Sequence, residues 1–181
     1  TFTALVELQE AGKIRYVGVS NYNTAQLADA LPYAGIVSNQ IKYNLLDRSI
    51  ESDPLPYCAE NQIGVLAYSP MAMGLLTGKV TMDRKFPATD VRSSGRWFQP
   101  ANRQRVLDAL AKVQLLADAH RAKLGQLAVA WVLAQRGITT ALVGARTAEQ
   151  VAENAGAARF RLKRDEVDEI RRAFEEIGEP E

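Results

Sequence analysis

The 181-residue chain contains one cysteine, one histidine and almost no net charge, and each shortage excludes a class of protein. Cys58 alone cannot form an internal disulfide, and with His120 it makes too small a set for a cysteine–histidine metal centre, so we expect no bound metal. A net charge of +1 gives no support for nucleic-acid or membrane-surface binding. No apolar run approaches the ~18 residues that span a membrane, and no signal peptide is apparent, so we expect a cytoplasmic protein without a membrane partner.

The remaining composition is that of a globular protein, with 47% hydrophobic and 24% charged residues. Polar loops and then helical patterns follow each of four short apolar or β-branched runs, at 14–19, 36–40, 63–68 and 139–143. This alternation predicts βαβ units and a parallel sheet. No repeat or linker divides the chain, so we expect one domain over 1–181.

Two parallel architectures compete, the open doubly wound sheet and the closed (β/α)₈ barrel. No G-x-G-x-x-G spacing exists among the 12 glycines, whereas Gly18 inside a strand suits a barrel interior or a close contact with a neighbouring element. The same patterns predict single helices over 103–122, 126–135 and 165–177, and a helix capped by Ser52-Asp53-Pro54.

Parallel α/β folds place their sites at the carboxyl ends of strands. The residues there are Ser20-Asn21, Asn39-Gln40, Tyr68-Ser69-Pro70 and Gly144-Ala145-Arg146. Such side chains can hydrogen-bond a carboxamide, stack on a planar ring and pair with a phosphate, but they offer no nucleophile–base pair. Arg146 directly precedes a helix N-terminus, which itself favours an anion.

Each of these residues also has a purely structural interpretation. Ser20 and Asn21 could cap the next helix, Gln40 could satisfy loop backbone groups, and Tyr68 could be a packing residue. Thr147 and Gln150 have the spacing of a capping box. His120 lies on a helix among leucines, which favours a packed or surface histidine over a general base.

Four segments in order resemble the aldo-keto reductase family, and together they extend over nearly the whole chain. They are 12–21 (GKIRYVGVSN), 39–44 (NQIKYN), 68–79 (YSPMAMGLLTGK) and 144–154 (GARTAEQVAEN). They are similar to the family's fifth to eighth barrel strands and their loops, with most similarity to the bacterial branch related to potassium-channel β subunits. The resemblance implies a parallel (β/α)₈ TIM-type barrel of which only the last four β/α units are present. The chain would then be the C-terminal half of the domain.

The resemblance also implies an NADPH (NADP) site and reduction of small aldehydes or ketones. By position, Ser20, Asn21 and Gln40 match the residues that hold the nicotinamide carboxamide, and Tyr68 matches the aromatic ring stacked on the nicotinamide. The residues that match the loop over the pyrophosphate are Ser69, Pro70, Met71, Ala72, Lys79 and Arg92. The residues that match the adenosine end are Gly144, Arg146, Gln150, Glu153 and Asn154, with Arg146 at the 2′-phosphate position.

No catalytic residue is assigned, because the family's aspartate, tyrosine, lysine and histidine tetrad lies on the first four strands, which nothing here matches. Trp97 and Phe98, in the long loop, are expected to face substrate. Two further hypotheses stay open: a non-catalytic cofactor-sensing or interaction module, and an inactive truncation product. Exposed barrel edges would favour self-association.

Overall fold

A computed structural model describes all residues, 1–181, and shows four parallel strands connected by helices. The strands are β1 (Val17–Ser20), β2 (Ile36–Lys42), β3 (Gly64–Tyr68) and β4 (Ile138–Leu142). The α-helices are α1 (Phe2–Glu10), α2 (Thr24–Ala30), α3 (Leu55–Glu60), α4 (Pro100–Lys112), α5 (Gln114–Ala119), α6 (Leu124–Leu133), α7 (Ala148–Ala155) and α8 (Arg164–Glu175). None of these helices is long and apolar enough to cross a lipid bilayer.

The strands pair in chain order, β1-β2-β3-β4, and every pair is parallel. The predicted α/β class with a parallel sheet is therefore confirmed. Ser20 lies beside Gln40, and Tyr68 lies between Lys42 and Leu142, so the carboxyl ends of the strands share one edge.

One face of the sheet is covered by helices and carries the core. Val65 and Ala67 of β3 are fully buried there, in one cluster with Trp131 of α6 and Ile170 of α8. The opposite face is open, and its side chains from Ser20, Gln40 and Lys42 are exposed. Parallel sheets are normally covered on both faces, so the open face is unusual. β1 and β4 also each leave one strand edge unpaired.

Three sequence predictions need correction. The first strand begins at Val17 rather than Ile14, because residues 14–16 form no ladder. The helix predicted over 103–122 is two helices, broken at Val113, whose buried side chain sits where the chain turns between α4 and α5. This break lets α4 pack on α8 while α5 leads into α6.

The predicted cap of α3 is also absent. No side chain caps this helix, and the Asp53 carboxylate instead accepts hydrogen bonds from the backbone N–H (3.0 Å) and the hydroxyl of Thr24, at the start of α2. Asp53 therefore connects the loop before α3 to the start of α2, and it does not cap α3.

A polar cluster ties the loop after β2 to α8. The Glu51 carboxylate accepts hydrogen bonds from the Tyr43 hydroxyl (2.5 Å) and from two nitrogens of Arg171 (2.7 and 2.9 Å). The Arg171 guanidinium lies over the Trp131 ring at 5.3 Å. Burial pushes the pKa of Glu51 upwards, but the hydrogen bonds from Arg171 and Tyr43 outweigh it, so the pKa lies below its ordinary 4.5.

This shift predicts acid sensitivity. A carboxyl group with a lowered folded-state pKa stabilises the fold above pH 4.5, and that contribution is lost as the pH falls through the folded pKa. Glu51→Gln should therefore lower the free energy of unfolding near neutral pH, with a much smaller effect at about pH 3. Urea unfolding at both pH values measures this. Glu60→Gln, an exposed residue of α3, is the control, and an equal effect of Glu51→Gln at both pH values would contradict the assignment.

Candidate functional site: a cavity with three cations at the carboxyl edge

A cavity of about 590 Å³ opens at the carboxyl edge of β3 and β4. Its walls are the loop after β3, the loop after β4, and the facing sides of α6 and α7. Ten of the fifteen residues predicted to bind cofactor line it: Ser69, Pro70, Met71, Lys79, Arg92, Gly144, Arg146, Gln150, Glu153 and Asn154. The tertiary structure thus brings together residues from segments that lie about 75 positions apart in the chain.

Three cations, Lys79, Arg92 and Arg146, face this cavity from different elements. Arg146 is exposed, one residue before the Thr147 cap of α7. Its backbone N–H donates to the side-chain carbonyl of Gln150 at 2.7 Å. Since the first-turn N–H groups of a helix add positive potential, this end of the cavity suits a phosphate group.

Two carboxylates hold two of these cations, Arg92 and Lys79, in place. Asp90 pairs with Arg92 through two hydrogen bonds of 3.0 and 2.6 Å, and these hydrogen bonds lower the pKa of Asp90 to about 2. Glu153 accepts hydrogen bonds from Lys123 and from Lys79 (3.2 Å), which together lower its pKa below the ordinary value. The pair formed by Lys79 and Glu153 bridges the loop after β3 and α7.

The second part of the site lies on β1 and β2. The Ser20 hydroxyl and the Asn21 backbone N–H both donate to the Gln40 backbone carbonyl, at 2.9 Å each. The Tyr68 hydroxyl donates to the Asn21 side-chain carbonyl at 3.2 Å. The exposed Gln40 side chain makes no hydrogen bond within the protein. These residues form a polar row across the ends of β1, β2 and β3 beside the cavity, with the half-buried Tyr68 at its β3 end.

Two of the purely structural interpretations, the capping role of Ser20 and Asn21 and the loop-satisfying role of Gln40, are wrong. Ser20 and Asn21 do not cap α2, because Asn23 does so by accepting a hydrogen bond from the Gln26 N–H at 2.9 Å. Gln40 does not satisfy loop backbone groups with its side chain. The capping interpretation of Thr147 is confirmed, since its hydroxyl accepts the Gln150 N–H at 3.3 Å.

Strained backbone concentrates at this edge. Of the six non-glycine residues with left-handed φ, four lie in the loops of the site: Asn21 (57°), Ser69 (55°), Ala72 (47°) and Met73 (54°). Each costs on the order of 1 kcal/mol or more and persists only where surrounding structure enforces it. Ala72 itself does not line the cavity, whereas Met73 does.

Two buried asparagines hold the backbone next to Asn21 and at Ser69. Asn39 donates to the Tyr22 carbonyl (2.8 Å) and accepts the Tyr22 N–H (3.3 Å), which fixes the loop after β1. Asn44 donates to the Ser69 carbonyl at 3.1 Å and fixes the start of the loop after β3. Both side chains are almost completely buried, with exposures of 0% and 1%.

Sequence reasoning missed two residues that shape the cavity. Gln126 of α6 lines it and donates to the Glu153 carbonyl (2.6 Å), and Lys123, at the start of α6, pairs with the Glu153 carboxylate. Their contacts join residues about 30 positions apart, and only a helix start marks them in the sequence.

Other predicted residues lie elsewhere. His120 stacks on Phe160 at 4.8 Å and pairs with Glu166 (3.1 Å), which agrees with its interpretation as a packed histidine, although it lies just after the end of α5 rather than on a helix. Phe98 is buried against Phe86 in the core, so the expectation that it faces substrate is wrong. Trp97 is half-buried and lines a separate cavity of about 600 Å³ near Arg48 and Phe174.

The fold and site together define a parallel α/β protein with an elongated polar site, cationic at one end and bearing an aromatic ring at the other. The chain belongs to the aldo/keto reductase family, a family of oxidoreductases, whose model matches residues 1–175. The predicted family is thereby confirmed.

Individual relatives agree with this assignment. The chain is 38% identical over 162 residues to the NADH-specific methylglyoxal reductase of Escherichia coli, a match that covers 90% of this chain and 49% of that protein. It is 32% identical over 173 residues to the aldo-keto reductase yakc [NADP(+)] of Schizosaccharomyces pombe, covering 94% and 51%. The structure of the glycerol dehydrogenase AKR11B4 from Gluconobacter oxydans superposes with a TM-score of 0.88 at 36% identity, covering 97% of this chain and 52% of that one. The chain thus spans about half the length of these relatives.

The double pairing of Glu153 generates a prediction for the cavity. Removing its charge with Glu153→Gln should leave Lys79 and Lys123 less neutralised and strengthen inorganic pyrophosphate binding about threefold at low ionic strength. Calorimetric titration at low and high salt measures this, and the gain should shrink in high salt. Glu149→Gln, one turn earlier on α7, is the control. Weaker or unchanged binding by Glu153→Gln would show that Glu153 does not restrain the cationic potential.

Proposed function

We propose that this chain is the cofactor-binding, C-terminal half of an NADPH-dependent aldo-keto reductase that reduces aldehydes and ketones to alcohols. The observation that carries the proposal is the cavity at the carboxyl edge, where three cations and a helix N-terminus converge beside Tyr68 and exposed amides. A dinucleotide has matching chemistry, with phosphates at one end and a planar carboxamide-bearing ring at the other.

The two ends of the cofactor would be held by different interactions. Arg146, with Gln150 and Asn154 nearby, would contact the adenosine end, while Lys79 and Arg92 would face the phosphates. Tyr68 would stack on the nicotinamide ring, and Ser20, Asn21 and Gln40 would hydrogen-bond its carboxamide. The free side-chain amide of Gln40 supports this role because no protein group competes for it.

When bound, NADPH supplies a hydride for carbonyl reduction. The residues of this chain would position the ring and the phosphates, and none of them is proposed as the proton donor. The half-length match to the relatives, the uncovered sheet face and the unpaired edges of β1 and β4 support an incomplete barrel in which further strands complete the site. A cytoplasmic location and self-association through these edges stay predictions.

The preference for NADPH rests on charge pairing between Arg146 and the 2′-phosphate. The names of the relatives differ on this point, since one is NADH-specific and another carries NADP(+). The side chain of Gln150 contacts the Arg146 backbone and leaves the Arg146 guanidinium exposed, which supports its availability for the extra phosphate.

Arg146→Ala therefore tests the cofactor assignment. It should weaken NADPH binding about tenfold, with little effect on NADH, because only NADPH carries the 2′-phosphate. Fluorescence titration of both nucleotides measures the two dissociation constants. Arg136→Ala, an exposed arginine between α6 and β4, is the control. Equal losses for the two nucleotides would remove Arg146 from the 2′-phosphate site.

A second experiment tests whether this chain supplies cofactor binding without the catalytic proton donor. The 181-residue chain alone should not oxidise NADPH in the presence of small aldehydes or ketones, because none of its residues is assigned as the proton donor. Absorbance of NADPH over time measures turnover. Steady turnover by the chain alone would contradict the proposal, whereas nucleotide binding without turnover is the expected result and also fits the cofactor-sensing alternative.

A further inference from the structure

The guanidinium of Arg103 is buried without a carboxylate partner. This α4 residue is 7% exposed, and none of the ion pairs in the structure involves it. Its donors all go to backbone carbonyls instead. Nε and Nη2 donate to Phe98 (3.2 and 2.6 Å), and Nη1 donates to Arg84 (2.8 Å), Thr81 (3.1 Å) and Met82 (3.4 Å).

These carbonyls come from the two ends of one loop. Thr81, Met82 and Arg84 lie at the start of the 81–98 segment, and Phe98 lies at its end. A single guanidinium therefore joins the two ends of residues 81–98. Burying a charge is costly unless polar partners surround it, and the carbonyl oxygens serve as those partners here. A buried arginine that satisfies both ends of a loop therefore makes the loop's conformation depend on that side chain.

Within the closed loop, the Phe86 ring contacts both Arg103 and the cavity residue Arg92. The ring meets Phe98 edge-on at 5.5 Å, and the Arg92 guanidinium lies over it at 4.4 Å, with Arg103 at 5.7 Å. Arg92 lines the cavity, and its position is completed by the two hydrogen bonds to Asp90. A continuous set of contacts thus runs from Arg103 through Phe86 to a cavity cation.

We propose that Arg103 is a positioning residue for the dinucleotide site: by closing the 81–98 loop it holds Arg92 in the cavity, where Arg92 pairs with a phosphate of the cofactor. The inference rests on the proposed function for its ligand, but the loop closure itself does not. Lysine cannot replace this arginine, because an ammonium group offers its donors from one atom and cannot reach both ends of the loop.

The test is a double-mutant cycle on NADPH binding. Arg103→Lys should weaken binding about fivefold, and Arg92→Ala should weaken it about tenfold. If Arg103 acts through Arg92, the double variant should bind no more weakly than Arg92→Ala alone. Multiplying losses, or wild-type affinity in Arg103→Lys, would overturn the proposal, because a merely structural defect would weaken binding whether or not Arg92 is present.

Limited trypsin digestion gives a readout independent of the cofactor. The loop contains Arg84, Lys85, Arg92 and Arg96, so Arg103→Lys should accelerate cleavage within 84–96, while Arg136→Lys should digest like the wild type. If the wild type binds no NADPH, the proposed function fails while digestion still decides the loop closure: faster cleavage supports it and equal cleavage overturns it.

Phe86→Leu provides a second variant that leaves the carbonyl contacts of Arg103 intact, for use if Arg103→Lys does not fold. It removes the aromatic surface under Arg92 and should also weaken NADPH binding without a further loss in the Arg92→Ala background. A further loss in that background would separate Phe86 from Arg92 and break the proposed chain of contacts.

Discussion

The parallel pairing of the four strands, with its register at their carboxyl ends, is the constraint on which the rest of the structure depends. It places Ser20 beside Gln40 and Tyr68 beside Lys42, so that the polar ends of different strands meet at one edge. A slip of β2 by one residue would turn its exposed Gln40 towards the core and its buried Asn39 towards solvent. The hydrogen bonds from Asn39 to the loop after β1, and the hydrogen bond from the Ser20 hydroxyl to the Gln40 carbonyl, would then be lost together.

The loops at this edge are held by polar groups buried in the core rather than by regular structure. The buried amides of Asn39 and Asn44 each donate to one loop carbonyl, and the buried guanidinium of Arg103 donates to four further backbone carbonyls. Such groups are costly to bury, and the left-handed residues that they support add strain. Because these hydrogen bonds are all made within the chain, the protein's own side chains set the positions of these loops.

Charge balance within the site follows the same design. Lys79 and Arg92 are each paired with a carboxylate, Glu153 and Asp90, whereas the exposed Arg146 guanidinium forms no ion pair. The paired cations keep defined positions at the cost of part of their positive potential. Arg146, which is unpaired, retains its potential at a helix N-terminus, so a change of residue at this position should alter the choice of anion most.

Local patterns in the sequence determined the alternation of strands and helices, the Thr147 cap and the motifs that identify the family, because each depends on residues within a few positions of one another. The sequence could not show that α4 ends at Lys112, that Asp53 accepts hydrogen bonds from Thr24 rather than capping α3, or that Lys123 and Gln126 reach Glu153. Nor could it show that Arg103, on a helix, closes a loop that begins some 20 residues earlier. Each of these contacts joins elements distant in the chain, and only their packing against the shared sheet brings the partners within hydrogen-bonding distance.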